Sequence, residues 1–318
     1  AGSGRSVCLV DGLLAPARLR LKLEEVRARL AALDADSEPP VSSHRELRKL
    51  LDGIPVQARG PAWHEVSVVL DARFRMNPAE AFRSFEHLRE HYTLQGKAGQ
   101  FERFWVELRE SIAPWTLTQH GYTRALAGRD HAEVWRGVER IVSELASLGH
   151  RAFINSGTLL GAVREGRLIG HDDDVDLAVV LQGSDPQAIA IEWCALRRAL
   201  AARGLLDEAF EREREMHCKL RCVGGVSVDL FPAWLAGGQA YVFPHTFGEV
   251  AESDLLPLAA MDIAGVSVPV PQHPQALLAI NYGPGWRTPD PTFRFAWGRA
   301  AKRFRPFIDA CKAERGKA

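Results

Sequence analysis

Four aspartates lie within five residues, Asp172 to Asp176, directly before an apolar run. This cluster limits the possible fold and function of the chain more than any other feature. Carboxylates this close repel one another, so a compact cluster needs a bound cation or a shared proton. Side chains alternate along a strand, which places Asp174 and Asp176 on one face and turns Asp173 away. Asp172 has the parity of Asp174 but precedes the strand. Carboxylates on one face predict a site for Mg2+, with Mn2+ as the alternative.

A turn of small residues upstream predicts an anion site. Ser156-Gly157-Thr158 follows the apolar stretch Ala152 to Ile154 and opens a helix that we expect to end near Glu165. Free backbone N–H groups and the positive end of the helix dipole favour a phosphate at such a turn. Arg164 and Arg167 would add charge-assisted hydrogen bonds. The alternative is an acidic loop beside an ordinary capped helix.

A further aspartate, Asp229, interrupts an apolar strand in a hairpin that turns at Gly224-Gly225. An unpaired charge there would be costly, so Asp229 joins the metal site or forms a salt bridge with Lys219 or Arg221. With a strict two-residue turn, Asp229 faces Leu220 and both basic side chains point to the other face of the sheet. That register favours the metal role, and a bulge would reverse it.

These motifs together resemble the LicD/fukutin-related family. The resemblance is carried by SGTLLGAVREGRLIGHDDDVDLAVV (residues 156–180) and by VSVDLFPAW (residues 226–234). Many members have Pro-Trp before the acids, where this chain has Gly170-His171. The family's Gly-Thr-Leu-Leu-Gly-x-x-Arg element falls on residues 157–164, its alternating acids on Asp172, Asp174 and Asp176, its later strand aspartate on Asp229, and its closing Tyr-Gly-x-x-Trp segment on residues 282–286.

The resemblance implies a nucleotidyltransferase-type fold. It also implies an enzyme that takes a phosphorylated alcohol, such as phosphocholine or ribitol phosphate, from its CDP-activated form to a glycan or glycolipid hydroxyl. Asp174 and Asp176 would hold the metal, and Asp229 would ligate it on the attacking side and help deprotonate the acceptor. Asp172 would be a further ligand or the base. The expected donor-binding residues are Ser156, Gly157, Thr158, Arg164, Lys219, Tyr282 and Trp286, the last two either stacking on cytosine or closing the core.

Two other functions stay open from the residues alone. A nucleotidyltransferase that moves NMP from NTP to a small acceptor would use the same acids, so the acids do not separate the two enzymes. A glycan-binding scaffold on an inactivated transferase fold belongs to another class, and the intact metal acids argue against it.

Composition limits the other classes of function. With 318 residues, the chain suits one large or two modest domains, and 46% hydrophobic and 25% charged residues are typical of a soluble globular protein. Forty basic and forty acidic residues give no reason to expect nucleic-acid binding. The sequence leaves the oligomeric state open. Five scattered cysteines favour free thiols over a disulfide framework. Zinc at His217, Cys218 and Cys222 would lack a second pair of ligands.

No window reaches the roughly 18 apolar residues that span a membrane, and no signal peptide is recognisable. We therefore expect a cytoplasmic bacterial protein, with association to a membrane surface as the alternative. Ala1-Gly2-Ser3-Gly4 lacks an initiating Met and resembles a cloning scar, so we expect the natural N-terminus to be missing.

The patterns predict an α/β (α+β) fold. A nucleotidyltransferase-like mixed sheet with flanking helices is expected over residues 126–318, after a mainly helical region over residues 5–125. In the core, Asp130 and Glu133 form a capping box for a helix to Leu148. The expected elements that follow are strand 152–155, helix 158–165, strand 174–181, helix 186–203 and hairpin 216–231.

The N-terminal region is predicted to shape the acceptor site rather than to mediate self-association. Its first helix, residues 16–34, carries a leucine-rich seam that suits a short coiled coil or an ordinary packed helix. Its aromatic residues are expected to form core more than a sugar platform. The other expected elements are a linker at 35–43, a strand at 64–74, a helix from Pro78 to about His91 with Asn77 as N-cap, and a helix at 101–112.

Overall fold

The computed structural model describes residues 11–33, 39–119, 121–207, 216–290, 293 and 295–316. The chain divides into two compact units, Ala1–Arg124 and Ala125–Ala318. The first unit is mainly helical and the second contains a mixed sheet, which confirms the predicted fold class. The suspected cloning scar at residues 1–4 and residues 35–38 of the expected linker lie outside the described residues.

The described part of the first unit contains five α-helices and one hairpin. The helix α2 begins at Val41, so the linker predicted to reach residue 43 is shorter than expected, because Pro40 already takes the position before the helix. The bounds are α1 Asp11–Ala31, α2 Val41–Asp52, α3 Pro61–Arg73, α4 Pro78–Leu94, α5 Ala98–Ile112, β1 Trp115–Thr118 and β2 Gly121–Arg124, with a 3-10 turn at Val56–Ala58.

The valine-rich segment predicted as a strand over residues 64–74 is helical, so that prediction was wrong. Its β-branched residues favour a strand, whereas Pro61 suits the first position of a helix. Val66 and Leu70 of α3 pack into one apolar cluster, and Val68 and Ala72 pack into another. Burial on two sides removes the one-sided apolar stripe that marks a surface helix.

The leucine-rich seam of the N-terminal helix packs into the core of the first unit. Of the two interpretations, a short coiled coil or an ordinary packed helix, the structure shows the packed helix. Leu23, Val26 and Leu30 of α1 are buried in the cluster that contains Val66, with Leu19 and Leu33 partly buried against it. The aromatic residues likewise pack internally, as expected: Phe85, Phe101 and Phe104 are buried in the second cluster, and Phe82 and Trp105 are partly buried against it.

The predicted start of α4 at Pro78 is confirmed, but Asn77 does not cap the helix with its side chain. Its Nδ2 instead donates to Asp71 Oδ1 at 3.1 Å. Asp71 is fully buried, and it also accepts from Arg48 Nη1 at 3.0 Å, with His44 Nε2 at 2.8 Å from Oδ1. The hydrogen-bonding capacity of Asn77 is therefore used to stabilise a buried carboxylate.

The second unit surrounds a six-stranded sheet with helices, and a separate hairpin packs beside it. The strands are β3 Arg151–Ile154, β4 Asp174–Leu181, β5 Cys218–Val223, β6 Val226–Ala236, β7 Gln239–Val242, β8 Thr246–Ala251, β9 Ala259–Ile263 and β10 Val266–Val270. The helices are α6 His131–Ser147, α7 Ser156–Glu165, α8 Pro186–Ala202, α9 Glu252–Leu255, α10 Pro274–Tyr282, α11 Trp297–Arg303 and α12 Arg305–Arg315, with a 3-10 turn at Leu126–Gly128.

The sheet has the order β3-β4-β6-β7-β8, with β5 paired to β6. Only β4 and β6 run parallel among these pairs, and α8 lies in the connection between them. The strand predicted over 174–181 is confirmed with the same bounds, and its apolar residues 177–181 are buried. Asp130 caps α6 as predicted, since its Oδ1 accepts from the N–H groups of Ala132 and Glu133. The central parallel pair therefore sits inside the core.

Three of the cysteines, Cys194, Cys218 and Cys311, are buried and free, whereas Cys8 and the side chain of Cys222 lie outside the described residues. No helix in the described part of the chain is long and apolar enough to cross a membrane.

Candidate active site

Three of the predicted metal acids project from one face of the two parallel strands. Asp176 of β4 lies directly opposite Asp229 of β6. Parallel partners point to the same face, and Asp174 shares that face with Asp176 because it lies two residues earlier. Asp172 approaches from the preceding loop: a Cβ on Gly157 would meet Asp172 Oδ2 at 2.8 Å and Asp176 Oδ2 at 3.4 Å. The four acids are thus gathered at the start of β4.

Asp173 lies closer to these acids than strand alternation predicted. Asp172, Asp173 and Asp174 each offer a carboxylate oxygen, and these oxygens all lie within 4.8 Å of one another. The prediction that Asp173 points away was wrong because β4 begins only at Asp174, so Asp173 is outside the alternating strand.

Burial and crowding oppose ionisation of the cluster. Burial, followed by the charge of Asp173, raises the pKa of Asp172 to about 6. Burial also raises the pKa values of Asp174 and Asp176 well above the usual range, with the charge of Asp172 as the next cause for both. Partly buried carboxylate oxygens that repel one another suit a hard divalent cation, because its charge relieves the repulsion and its preferred ligands are oxygens. The residues present therefore fit the expected metal.

The beginning of α7 is turned toward the acids. The Gly157 N–H donates to Asp176 Oδ2 at 3.0 Å, and Thr158 Oγ1 accepts from the Asp176 N–H at 2.8 Å. These two bonds fix Asp176 from its side chain and its backbone. The prediction of free N–H groups for phosphate at this turn was wrong for Gly157, since its N–H is already bound to a carboxylate.

Two side chains at the same turn carry buried polar atoms without hydrogen-bond partners among the described residues. These atoms are both ends of the Asn155 amide and Oγ of Ser156. Ser156 also has a φ of 43°, in the left-handed region that residues other than glycine rarely adopt. Such atoms are costly unless a ligand or water satisfies them. Sequence reasoning missed Asn155 because its position before a helix is typical of a cap, yet it makes no side-chain cap.

Asp229 contacts basic side chains as well as facing the acids. Its Oδ1 contacts Lys219 Nζ, and its Oδ2 lies 3.4 Å from His217 Nε2. The strict hairpin register was wrong, because an irregularity between Leu220 and Val223 places Lys219 opposite Asp229. The charge of Asp229 also raises the pKa values of Asp172 and Asp176, which places it electrostatically within the cluster. The salt bridge thus coexists with proximity to the other acids.

The two bases beside Asp229 have distinct environments. Burial is the largest single influence on the pKa of Lys219 and lowers it, but the charge of Asp229, the hydrogen bond to Asp229 and the charges of Asp174 and Asp173 together outweigh burial, so the net shift is upward. The ring of His217 stacks on Phe231, with centroids 5.0 Å apart. His217 was considered only as a zinc ligand from the sequence, although it shares the parity of Lys219. Arg221, the other candidate partner of Asp229, donates instead to the Leu206 carbonyl at 3.4 Å.

The remaining donor-binding candidates, Arg164, Tyr282 and Trp286, have three different environments. Arg164 Nη2 pairs with Glu165 Oε1 at 2.6 Å. Burial raises the pKa of Tyr282 well above its usual value, and the charges of Asp176 and Asp172 raise it further, so the phenol lies near the acids. Trp286 is 6% exposed within the core cluster, in agreement with the core-closing alternative.

The second unit has a mixed sheet with aspartates on two adjacent strands and a helix N-terminus turned toward them, an arrangement that agrees with the fold implied by the resemblance. Residues 149–273 match a family model described as LicD/FKTN/FKRP, nucleotidyltransferase domain. The resemblance recognised in the motifs is confirmed over these residues. The Tyr282 to Trp286 segment lies beyond the matched residues.

Similarity to individual proteins covers about half of the chain. The chain is 28% identical over 162 residues to the proteins named ribitol 5-phosphate transferase FKRP of Mus musculus and of Homo sapiens. Each match covers 46% of this chain and 30% of the relative, so the chain spans less than a third of the length of these relatives. An uncharacterised protein of Caenorhabditis elegans is 26% identical over 169 residues, covering 48% of this chain and 42% of that protein.

Proposed function

We propose that the second unit is a metal-dependent transferase that moves a phosphorylated alcohol from a CDP-activated donor to a glycan hydroxyl. The observation that carries the proposal is the register of β4 and β6, which puts Asp176 opposite Asp229 on one face. The mouse and human relatives are named ribitol 5-phosphate transferase, which supports an alcohol phosphate as the transferred group.

Asp174, Asp176 and Asp172 are the residues assigned to Mg2+, with Mn2+ as the alternative. When bound, the cation would neutralise charge on the donor diphosphate and on the departing CMP. Gly157 and Thr158 hold Asp176 in place through the two bonds described above. Their role is therefore to orient a ligand carboxylate.

Asp229 is assigned to the acceptor side of the reaction. Lys219 contacts Oδ1 of Asp229, so we assign Oδ2, which lies 3.4 Å from His217 Nε2, to the metal or to the acceptor proton. In the reaction, the acceptor oxygen bonds to the phosphorus that carries the alcohol while the bond from that phosphorus to CMP breaks. The hydroxyl proton passes to Asp229 and then to solvent.

The assay compares CDP-ribitol, CDP-glycerol and CDP-choline with CTP, with Mg2+ and with a chelator. Release of CMP from one CDP-alcohol, dependent on Mg2+, is the expected result. Pyrophosphate release from CTP, with every CDP-alcohol intact, would favour the nucleotidyltransferase that moves NMP. If neither reaction occurs and calorimetry detects no Mg2+ binding, the glycan-binding scaffold becomes the better account.

A further inference from the structure

A cavity of about 370 Å3 lies beside Tyr282 in the second unit. Its volume is at the lower end of the roughly 300–1,000 Å3 typical of small-molecule sites, so it suits a compact ligand rather than a glycan chain. None of the aspartates described above is among the described residues that line it. Its walls come from the residues after β7, the end of α10 and the segment that includes α11, and they include His245, Asn281, Phe293, Phe295, Arg299 and Arg303.

The cavity contains a buried amide that is only half satisfied. Asn281 is 7% exposed, and its Oδ1 accepts from Thr246 Oγ1 at 2.9 Å, whereas its Nδ2 has no partner among the described residues. A hydroxyl both donates and accepts, so turning the amide over would satisfy Nδ2 and leave Oδ1 without a partner. One hydrogen-bonding atom of Asn281 is therefore left over in either orientation.

A second unsatisfied atom faces the same region. His245 Nδ1 is buried without a hydrogen-bond partner among the described residues. Burial lowers the pKa of His245 to about 4, so the neutral ring offers one N–H donor and one acceptor near pH 7. An amide and a neutral imidazole together recognise a ligand edge that carries both donors and acceptors.

Aromatic rings supply the flat surfaces of the cavity and connect it with the acids. The rings of His245 and Phe295 have centroids 4.0 Å apart. The ring centroid of Tyr282 lies 5.0 Å from that of Phe293 and 6.0 Å from that of His245. The charges of Asp176 and Asp172 raise the pKa of the Tyr282 phenol. Tyr282 thus lies near both the cavity and the metal acids.

The rim of the cavity carries positive charge. Arg303 is already paired with Glu249, which also lines the cavity. Arg299 is exposed and forms no ion pair with a carboxylate in the part of the chain that the structure describes. An exposed guanidinium at the rim is suited to the phosphate of a ligand whose flat end enters the cavity.

We propose that this cavity binds the cytosine ring of the activated donor, against Phe293 and Phe295, with the amide of Asn281 and the ring of His245 reading the edge of the base. The proposal rests on the proposed function, since it places one end of the CDP-activated donor. Cytosine offers ring nitrogen and carbonyl acceptors beside an amino donor, which matches an amide and a neutral imidazole. Arg299 would contact the phosphate side of the nucleotide.

The test is calorimetric titration of the full chain, in Mg2+, with CMP and with ribose 5-phosphate. CMP should bind at least tenfold more tightly, because ribose 5-phosphate lacks the base. Ile280 lines the cavity and is 39% exposed, so Ile280→Trp should fill the cavity without unfolding the protein and weaken CMP binding at least tenfold. Ile191→Trp, at a 45% exposed position on α8, is the matched control and should bind CMP like the wild type.

A second pair of variants probes the polar contacts. Asn281→Ala should weaken CMP binding about tenfold, which corresponds to roughly 1.4 kcal/mol, and leave binding of ribose 5-phosphate unchanged. Arg299→Gln should weaken binding of both probes, whereas Arg305→Gln, at an exposed position on α12, should affect neither. If Asn281→Ala does not fold, the CMP affinity of Ile280→Trp alone tests whether the base binds in this cavity.

Equal CMP affinities for Ile280→Trp and Ile191→Trp would place the base elsewhere and overturn the inference. Release of CMP from a CDP-alcohol would then still support the proposed function. If neither CMP bound nor any CDP-alcohol reacted, the inference and the proposed function would both be overturned.

Discussion

The arrangement of the side chains in the acid cluster lowers the stability of the metal-free protein. Asp172, Asp174 and Asp176 are partly buried, and burial raises the pKa of all three. The charge of Asp172 raises the pKa values of Asp174 and Asp176 further, while the charge of Lys219 lowers the pKa of Asp176. Natural proteins accept such repulsion where the same groups bind a ligand or perform chemistry. The cluster is therefore expected to oppose stability and support activity through the same carboxylates.

Replacing one acid separates these two effects. Asp174→Asn should lower transfer more than tenfold, equivalent to more than about 1.4 kcal/mol of transition-state stabilisation. It should also raise the Tm of the metal-free protein, by roughly 2–4 °C for each kcal/mol of repulsion relieved. Activity and melting are measured beside Asp262→Asn, an exposed aspartate of β9, as control. A variant that kept most of its activity would remove Asp174 from the metal site.

The raised pKa values also predict a pH dependence. A carboxyl group whose pKa is higher in the folded state contributes stability below its unfolded pKa, near 3.8, and loses that contribution as the pH rises through the folded pKa. For Asp172 the loss occurs between about 4 and about 6, and for Asp174 and Asp176 it extends higher. The stability gained from Asp174→Asn should therefore be larger at pH 8 than at pH 5. A difference independent of pH, measured by denaturant unfolding without metal, would contradict this explanation.

At the scale of the helices and strands, the site depends on three contacts: β4 beside β6, the bulged β5 beside β6, and α7 against the start of β4. Side-chain parity and the small-residue turn predicted β4 and α7 from the sequence, because local pattern determines which residues form them. The pairing of Lys219 with Asp229 was only one of the alternatives left open by the sequence, since the bulge between Leu220 and Val223 changes the register without a marked sequence signal.

Helix α3 shows the other limit of sequence reasoning. Its residues Val66 and Val68 serve two separate clusters, so their spacing reflects tertiary packing that a single segment does not reveal. Similarly, no role was predicted for Asn281, and its unsatisfied amide became visible only with the cavity beside it. Local periodicity predicts elements, whereas the cavity and the Lys219 contact depend on residues distant in sequence.

The contact between α7 and the acids gives a prediction at this scale. A Cβ added by Gly157→Ala would meet Asp172 Oδ2 at 2.8 Å, so the carboxylate must move while the backbone can remain in place. We expect affinity for Mg2+ to fall at least severalfold with little change in Tm. Gly285→Ala, where an added Cβ meets nothing within 4 Å, is the control. Calorimetric titration with Mg2+ measures the effect, and equal affinities in the two variants would contradict the assigned role of Gly157.

At the scale of the whole molecule, the residues of the proposed reaction all belong to the second unit, Ala125–Ala318. The family match likewise falls within it, at residues 149–273. We propose that the first unit shapes the acceptor site, because the packed seam of α1 is used within that unit and the proposed donor chemistry lies in the second unit. This division of labour extends the sequence-based expectation for the N-terminal region.

Separating the units tests this division. A chain of residues 125–318 should still release CMP from the CDP-alcohol in the presence of Mg2+, because it keeps every proposed metal ligand. It should lose transfer to glycan, because the unit assigned to the acceptor is absent. CMP release and glycan labelling are measured on both proteins, with circular dichroism to establish folding. Full transfer by the folded shorter chain would refute the acceptor role of the first unit.

We propose that carboxylates from β4 and β6 form one metal site for phosphoryl transfer. A crystal structure with Mn2+, located by its anomalous scattering, would show whether both strands contribute ligands. We expect an ion about 2.0–2.6 Å from oxygens of Asp174 or Asp176 and also of Asp229. An ion held only by Asp172, Asp173 and Asp174, with Asp229 still confined to its contacts with Lys219 and His217, would contradict it.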